Sequence, residues 1–151
     1  MTDVQWEEWR IDAIDDAGLP LVKHFYKTWG ISFKHTEGEC IFVLRGVHGE
    51  TVSPVMAAVR YQPVGNCFLL RSLCVEPASR RRGLARKLLE LSLESLHFPC
   101  CYSFALSHLR DLYSSFSFKS VAFSEAPEAV AKAYINYRRH RRNLLLMKYG
   151  G

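Results

Sequence analysis

No stretch of this 151-residue chain approaches the ~20 consecutive apolar residues that a membrane-spanning helix needs, so no membrane partner is expected. The first ten residues are acidic and hold no apolar run, so they do not read as a signal peptide. A soluble, cytoplasmic protein is the expectation. The five cysteines, Cys40, Cys67, Cys74, Cys100 and Cys101, form no C-x-x-C pair, and their number is odd. Most lie in apolar runs, where they read as small buried hydrophobes in a reducing compartment, and no metal site is expected. The phosphate-binding patterns G-x-x-x-x-G-K-[ST] and G-x-G-x-x-G are both missing, which removes support from kinases, nucleotide hydrolases and dinucleotide dehydrogenases. There is no internal repeat, linker or low-complexity tract. The length suits one domain over residues 1–151.

What the chain does contain is an ordinary globular balance, 48% hydrophobic and 23% charged. The net charge of +5 is unevenly spread. Asp3, Glu7, Glu8, Asp12, Asp15 and Asp16 face a single Arg10 near the N-terminus, so the remainder is strongly basic. Two clusters concentrate the positive charge: Arg80-Arg81-Arg82 with Arg86-Lys87, and Arg138-Arg139-His140-Arg141-Arg142. Such clusters suit anionic partners. The second reads as a solvated turn or as a contact for an acidic or RNA substrate. No RNA-binding signature accompanies it, and nucleic acid is not expected as a partner.

Apolar spacing predicts a helix from Gly18 to Trp29, with Leu19, Leu21, Val22, Phe25, Tyr26 and Trp29 in register. A first strand at Trp9–Ile11 precedes it. Three strands follow, Glu39–Arg45, Val52–Tyr61 and Cys67–Val75, separated by Gly, Pro and Asn turns that suggest an antiparallel meander. The last is apolar on both faces apart from Arg71 and Ser72, which argues for a central position. A helix over Leu84–Leu96, a strand from Pro99 through Cys100–Leu106 and a short helix from His108 to Ser115 come next. A strand at Lys119–Phe123, a helix from Pro127 to Arg139 and a strand at Asn143–Tyr149 complete the chain. This order implies an α/β (α+β) fold, antiparallel first, with a parallel crossover through Leu84–Leu96.

The segment from Val75 to Arg86 carries the chemistry. A helix start has unpaired N–H groups and a partial positive charge. Cations there cost about 0.3–1 kcal/mol each at exposed sites. This helix nevertheless opens amid Arg80, Arg81, Arg82, Arg86 and Lys87, with no Ser, Thr, Asp or Asn just before Leu84 to cap it. A bound polyphosphate would repair both faults, and Gly83 would let the backbone approach it. A solvated basic turn or a nucleic-acid patch remains the alternative on charge alone.

Arg80-Arg81-Arg82-Gly83-Leu84-Ala85 resembles the R-x-x-G-x-A acetyl-CoA loop of the GNAT superfamily of N-acetyltransferases. Leu73-Cys74-Val75-Glu76-Pro77 looks like the strand end that leads into that loop, and the order of elements agrees along nearly the whole chain. The resemblance implies a GNAT-like mixed, mostly antiparallel central sheet of six to seven strands flanked by about four helices. It implies acetyl-CoA as the cofactor, with backbone N–H groups from Arg81 through Gly83, Leu84 and Ala85 to Arg86 on the pyrophosphate. Leu73, Cys74 and Val75 would pair with the pantetheine arm and orient the thioester carbonyl, while Arg80 and its basic neighbours would serve the ribose phosphate. Leu112-Tyr113-Ser114-Ser115-Phe116-Ser117-Phe118 is similar to the family's F/L-Y-x-x-x-G-F segment, which makes Tyr113 the general acid for the leaving thiolate. The resemblance also points to Tyr26 and Trp29 as lining for the acceptor pocket, against a plain core role.

The departures are specific. Ser117 stands where the family usually has Gly, so the turn there is expected to differ. Leu106 and Ser107 occupy the region of a frequent Asn. Neither Cys67–Val75 nor Cys100–Leu106 holds an acid, so no general base is assigned, with His108 a candidate at the strand mouth. Arg71, a charge in an apolar strand, requires a partner: an internal salt bridge or an acidic acceptor. Acetyl transfer to an amine of unknown identity is the leading function. A non-catalytic acyl-CoA-binding module of the same fold and a basic RNA-binding domain are the alternatives. Exposed sheet edges leave a homodimer open.

Overall fold

A computed structural model describes residues 6–96 and 100–150. Twelve regular elements follow one another: β1 (Glu8–Ala13), α1 (Leu19–Thr28), β2 (Cys40–His48), β3 (Thr51–Val52), β4 (Ala57–Val64), β5 (Cys67–Val75), α2 (Leu84–Ser95), β6 (Cys101–Leu106), α3 (Arg110–Ser114), β7 (Phe118–Ser120), α4 (Glu128–Arg138) and β8 (Leu144–Tyr149). The strands form a mixed sheet in the order β1-β2-β4-β5-β6-β8-β7, with the two-residue β3 paired to β2. β5 and β6 run parallel, joined by the α2 crossover. The pairs β1–β2, β2–β3, β6–β8 and β7–β8 are antiparallel. Among the described residues no helix is long and apolar enough to cross a membrane.

The chain divides into two compact units. The first holds residues up to His35, then Cys40–Arg60 and Ser72–Ser95. Here α1 buries Val22, Phe25 and Tyr26 among Ile41, Val43, Val55, Ala58 and Cys74. Pro20 sits in its first turn, where its missing N–H costs nothing, and Gly30 at φ 71 ends it. α2 buries Leu84, Leu88, Leu89, Ser92 and Leu93, a stripe at helical spacing. It packs toward β1 and β2, where the pairs Ile11–Leu44 and Ala13–Phe42 share a face. Each such leucine, fully buried, contributes about 1.5–3 kcal/mol.

The second unit holds Thr36–Glu39, Tyr61–Arg71 and the chain from Leu96 onward. Its core joins Cys67, Leu69 and Tyr102 to Val130 and Tyr134 of α4 and Leu144 and Leu146 of β8. The buried Tyr134 hydroxyl donates to the Leu144 carbonyl at 2.7 Å, and its ring meets Phe104 edge-on at 5.3 Å.

Several expectations need correction. The strand foreseen at Val52–Tyr61 is two elements, β3 and β4, with a break between them. Pro54 has no N–H for a ladder, and the Ser53 hydroxyl takes the Gly46 N–H at 2.8 Å in place of a backbone partner. The strand foreseen at Lys119–Phe123 is β7, ending at Ser120, and Phe123 opens a single 3-10 turn instead. Pro99 lies outside the described residues. The reading of the cysteines as small buried hydrophobes in a reducing compartment is also corrected. Cys67 and Cys100 form a disulfide, their Cα atoms 4.7 Å apart, while Cys40, Cys74 and Cys101 are free. The two partners are 33 residues apart, so spacing alone gives no hint of the pair. The parallel β5–β6 ladder brings them together, because they immediately precede the paired Phe68 and Cys101. The premise for a reducing compartment falls with it.

Candidate active site

The β5–β6 ladder is only three pairs long, Phe68–Cys101 to Leu70–Ser103. Two residues later Ser72 takes a left-handed backbone at φ 57, a conformation that interrupts a strand and costs a residue with a Cβ about 1–2 kcal/mol. The Tyr26 hydroxyl donates to the Ser72 carbonyl at 2.8 Å. Beyond this kink, Leu73 and Val75 are half-buried, Cys74 is buried, and the Glu76 N–H returns to the Met56 carbonyl at 2.8 Å.

The loop that follows starts with a 3-10 turn over Pro77–Ser79. Arg80 leans back, its Nε donating to the Val75 carbonyl at 3.1 Å. Arg81 has φ 69 and Gly83 φ 74, with Arg82 between them. Successive N–H groups in such alternating backbone form a concave anion-binding nest. Among the described residues, the N–H groups of Arg81, Arg82, Gly83, Leu84 and Ala85 have no acceptor within the protein. Further along, the Lys87 N–H reaches the Gly83 carbonyl at 3.1 Å. No acid occupies the first turn of α2, and Arg80, Arg81, Arg82, Arg86 and Lys87 are all exposed. A Cβ added to Gly83 would meet nothing within 4 Å, so the space in front of this backbone is open. Free donors, left-handed turns, exposed cations and open space suit a pyrophosphate.

In the second unit, α3 carries Tyr113 inward. The side chain is 5% exposed and packs edge-on against Phe118 at 5.6 Å. Burial pushes its hydroxyl above the ordinary tyrosine value, opposed by a hydrogen bond from Ser103 and reinforced by Cys101. The phenol therefore remains protonated throughout the neutral range, as an acid must. Ser117 adopts φ 67, the left-handed conformation in which glycine is at home, and its carbonyl accepts the Gly150 N–H at 2.8 Å.

The remaining candidates separate by burial and partners. Tyr26 is fully buried, so its hydroxyl serves Ser72 rather than an open pocket; Trp29 is 39% exposed. Among the described residues Arg71 makes no salt bridge, the first of its two expected partners. Its Nη1 donates to Gln62 Oε1 at 2.9 Å, and its guanidinium lies 5.2 Å from the Tyr137 ring centroid. Burial holds the Cys101 thiol protonated up to about 12 and raises that of Cys74, with Arg80 opposing the latter, so neither is a thiolate nucleophile at neutral pH. His108 and the whole Arg138–Arg142 cluster are exposed, with Arg138 near the Tyr134 ring. Among the described residues no group of three or more His, Cys, Asp or Glu could hold a metal. Ser103 gives no signal in the sequence, but Ser72, with Arg71, is a polar break in an apolar strand.

The family model described as the acetyltransferase (GNAT) family matches residues 1–118. No curated protein matches the chain. Among solved structures it resembles N-acetylglutamate synthase from Neisseria gonorrhoeae, complexed with coenzyme A and N-acetyl-glutamate, at 13% identity and a TM-score of 0.64. That match covers 97% of this chain but 36% of the synthase, so the chain spans about a third of that protein's length. The ribosomal-protein-S18-alanine N-acetyltransferase from Escherichia coli matches at 17% identity and a TM-score of 0.63, covering 93% of this chain and 92% of that one. Escherichia coli ElaA matches at 17% identity and a TM-score of 0.61, covering 95% and 99% respectively.

Proposed function

Because the chain belongs to the GNAT acetyltransferase family, we propose that it moves an acetyl group from acetyl-CoA to an amine. The observation that carries this reading is the run of unpaired N–H groups from Arg81 to Ala85, set between the left-handed Arg81 and Gly83. Those donors hold the pyrophosphate, and the exposed side chains of Arg80, Arg82, Arg86 and Lys87 neutralise it and the ribose phosphate. The backbone of Leu73, Cys74 and Val75 holds the pantetheine arm as an added strand would. Acetyl-CoA, when bound, supplies an activated thioester.

Tyr113 carries its proton on Oη, kept there by burial, for delivery to the departing sulfur. β5 and β6 contain no carboxylate, so the amine arrives neutral or loses its proton to water rather than to a side chain of these strands. That same absence favours the second reading, a module that binds acyl-CoA without turning it over. At the acceptor end, Arg71 has an amide and a ring but no carboxylate among its partners, which supports an acceptor that brings its own.

The test is a thermal-shift titration with acetyl-CoA, followed by CoA-release measurements on a panel pairing amino acids with their decarboxylated amines. Stabilisation and release, with Tyr113→Phe at least tenfold slower in kcat, support the assignment. Stabilisation without release from any amine favours the binding module. No stabilisation removes the reading altogether.

A further inference from the structure

We infer that Tyr26 is a positioning residue for the acetyl group: by holding the Ser72 carbonyl it sets the direction of the backbone that receives the thioester. The inference rests on the acetyl-CoA reading above, and every group in it belongs to the first unit.

Tyr26 has no solvent exposure. Its neighbours in the core are Val22, Phe25, Ile41, Val43, Val55, Ala58 and Cys74, a setting in which phenylalanine would pack as well. A buried hydroxyl is unfavourable unless bonded. This one is bonded to a backbone carbonyl 46 residues away, not to its own helix. The carbonyl belongs to Ser72, which holds a left-handed conformation inside a strand. Such conformations persist where their surroundings over-determine them, and they cluster at functional positions.

The ring that delivers the hydroxyl is itself wedged. It stacks on Phe33 with centroids 5.7 Å apart and meets Phe25 edge-on at 5.7 Å. Phe33 lies beneath the guanidinium of the buried Arg60 at 4.6 Å, and Arg60 Nη2 donates to the Lys34 carbonyl at 2.7 Å. The hydroxyl therefore has one place to be.

The consequence follows from peptide geometry. In a trans peptide unit the C=O and the next N–H point in opposite directions. No peptide bond among the described residues is cis. Fixing the Ser72 carbonyl toward Tyr26 thus fixes the Leu73 N–H away from it. Leu73 begins the stretch proposed to hold the pantetheine arm and orient the thioester carbonyl. That carbonyl is present in acetyl-CoA and absent from CoA, so the clamp acts on the acetyl group more than on the nucleotide.

The experiment uses the full chain with Tyr26→Phe, Ser72→Gly and the double variant. The dissociation constants of acetyl-CoA and CoA are measured for each by calorimetry, with kcat on an acceptor from the panel. Tyr26→Phe is expected to keep its fold, to lower kcat at least tenfold and to erase any preference for acetyl-CoA over CoA. In the Ser72→Gly background, where the left-handed turn needs no support, the Tyr26→Phe effect is expected to shrink below threefold. Equal weakening of both ligands, a kcat within twofold of wild type, or effects that simply multiply would overturn the inference. Were the protein to bind acetyl-CoA without turnover, the transfer reading would fail while the ligand-preference comparison still decided the role of Tyr26.

Discussion

Replacing Gly83 by alanine separates two roles that this glycine combines. At φ 74 the residue is left-handed, and an added Cβ would meet no atom within 4 Å. Packing therefore contributes nothing to the cost. An L-residue in this conformation loses about 1–2 kcal/mol. Alanine recovers roughly 0.4–1 kcal/mol of that by restricting the unfolded chain. At the middle of these ranges the net loss is about 0.8 kcal/mol, a fall in Tm of roughly 2–3 °C for a chain of this size. If backbone conformation were the whole story, acetyl-CoA would bind at most about fivefold more weakly, the equivalent of that same ~1 kcal/mol. A methyl group standing between the loop and a phosphate adds to this, so Kd is expected to rise more than tenfold. Differential scanning fluorimetry and calorimetry read the two quantities on the same sample. A Kd within fivefold of wild type would refute close backbone approach at Gly83, and an unchanged Tm would refute the conformational argument.

Three further outcomes follow from the structure. Ser117→Gly relieves a left-handed serine at φ 67 on the surface, so it should stabilise the protein by about 0.5–1 kcal/mol in urea unfolding; a loss of stability contradicts the reading. Breaking the Cys67–Cys100 bridge, by reductant or Cys100→Ala, opens a 33-residue separation and should cost about 4 kcal/mol, while alkylation of the unfolded, unreduced chain should label three cysteines rather than five. Native Cys101 keeps its proton up to about 12, whereas an ordinary thiol releases it near 9.0, so between these values the folded state binds more protons than the unfolded. Stability should consequently fall as pH rises above about 9, and Cys101→Ala should flatten that fall; parallel curves for the two proteins would reject it.

The helices were legible because their apolar spacing is helical and continuous: α2 begins at Leu84 as read, and α1 covers Leu19–Thr28 within the expected span. β5 ran over the expected Cys67–Val75, since nine largely apolar residues between turns allow little else. The break at Ser53–Pro54 was hidden because a side-chain hydroxyl replaces a ladder bond there, a substitution invisible to hydropathy. In the loop, the charge and the missing cap alone point to an anion. The left-handed turns at Ser72, Arg81 and Ser117 were not legible, because none is a glycine. Their conformations are imposed by tertiary partners such as the Tyr26 hydroxyl and the Gly150 N–H, which no local propensity encodes. The disulfide was hidden for the same reason, being a product of strand register.

β1 closes one end of the sheet with six residue pairs to β2, and it carries Glu8, Arg10 and Asp12 along its length. Arg10 and Arg45 both engage Asp12, at 3.2 and 3.7 Å. β2 behind it is Ile41, Phe42, Val43 and Leu44, all buried. A chain begun after Ala13 would present that apolar strand, with its donors and acceptors unpaired, as a template for other copies. The charged first strand thus serves as a guard against fibrous association, and shortened forms of this protein should be judged by their solubility before their activity.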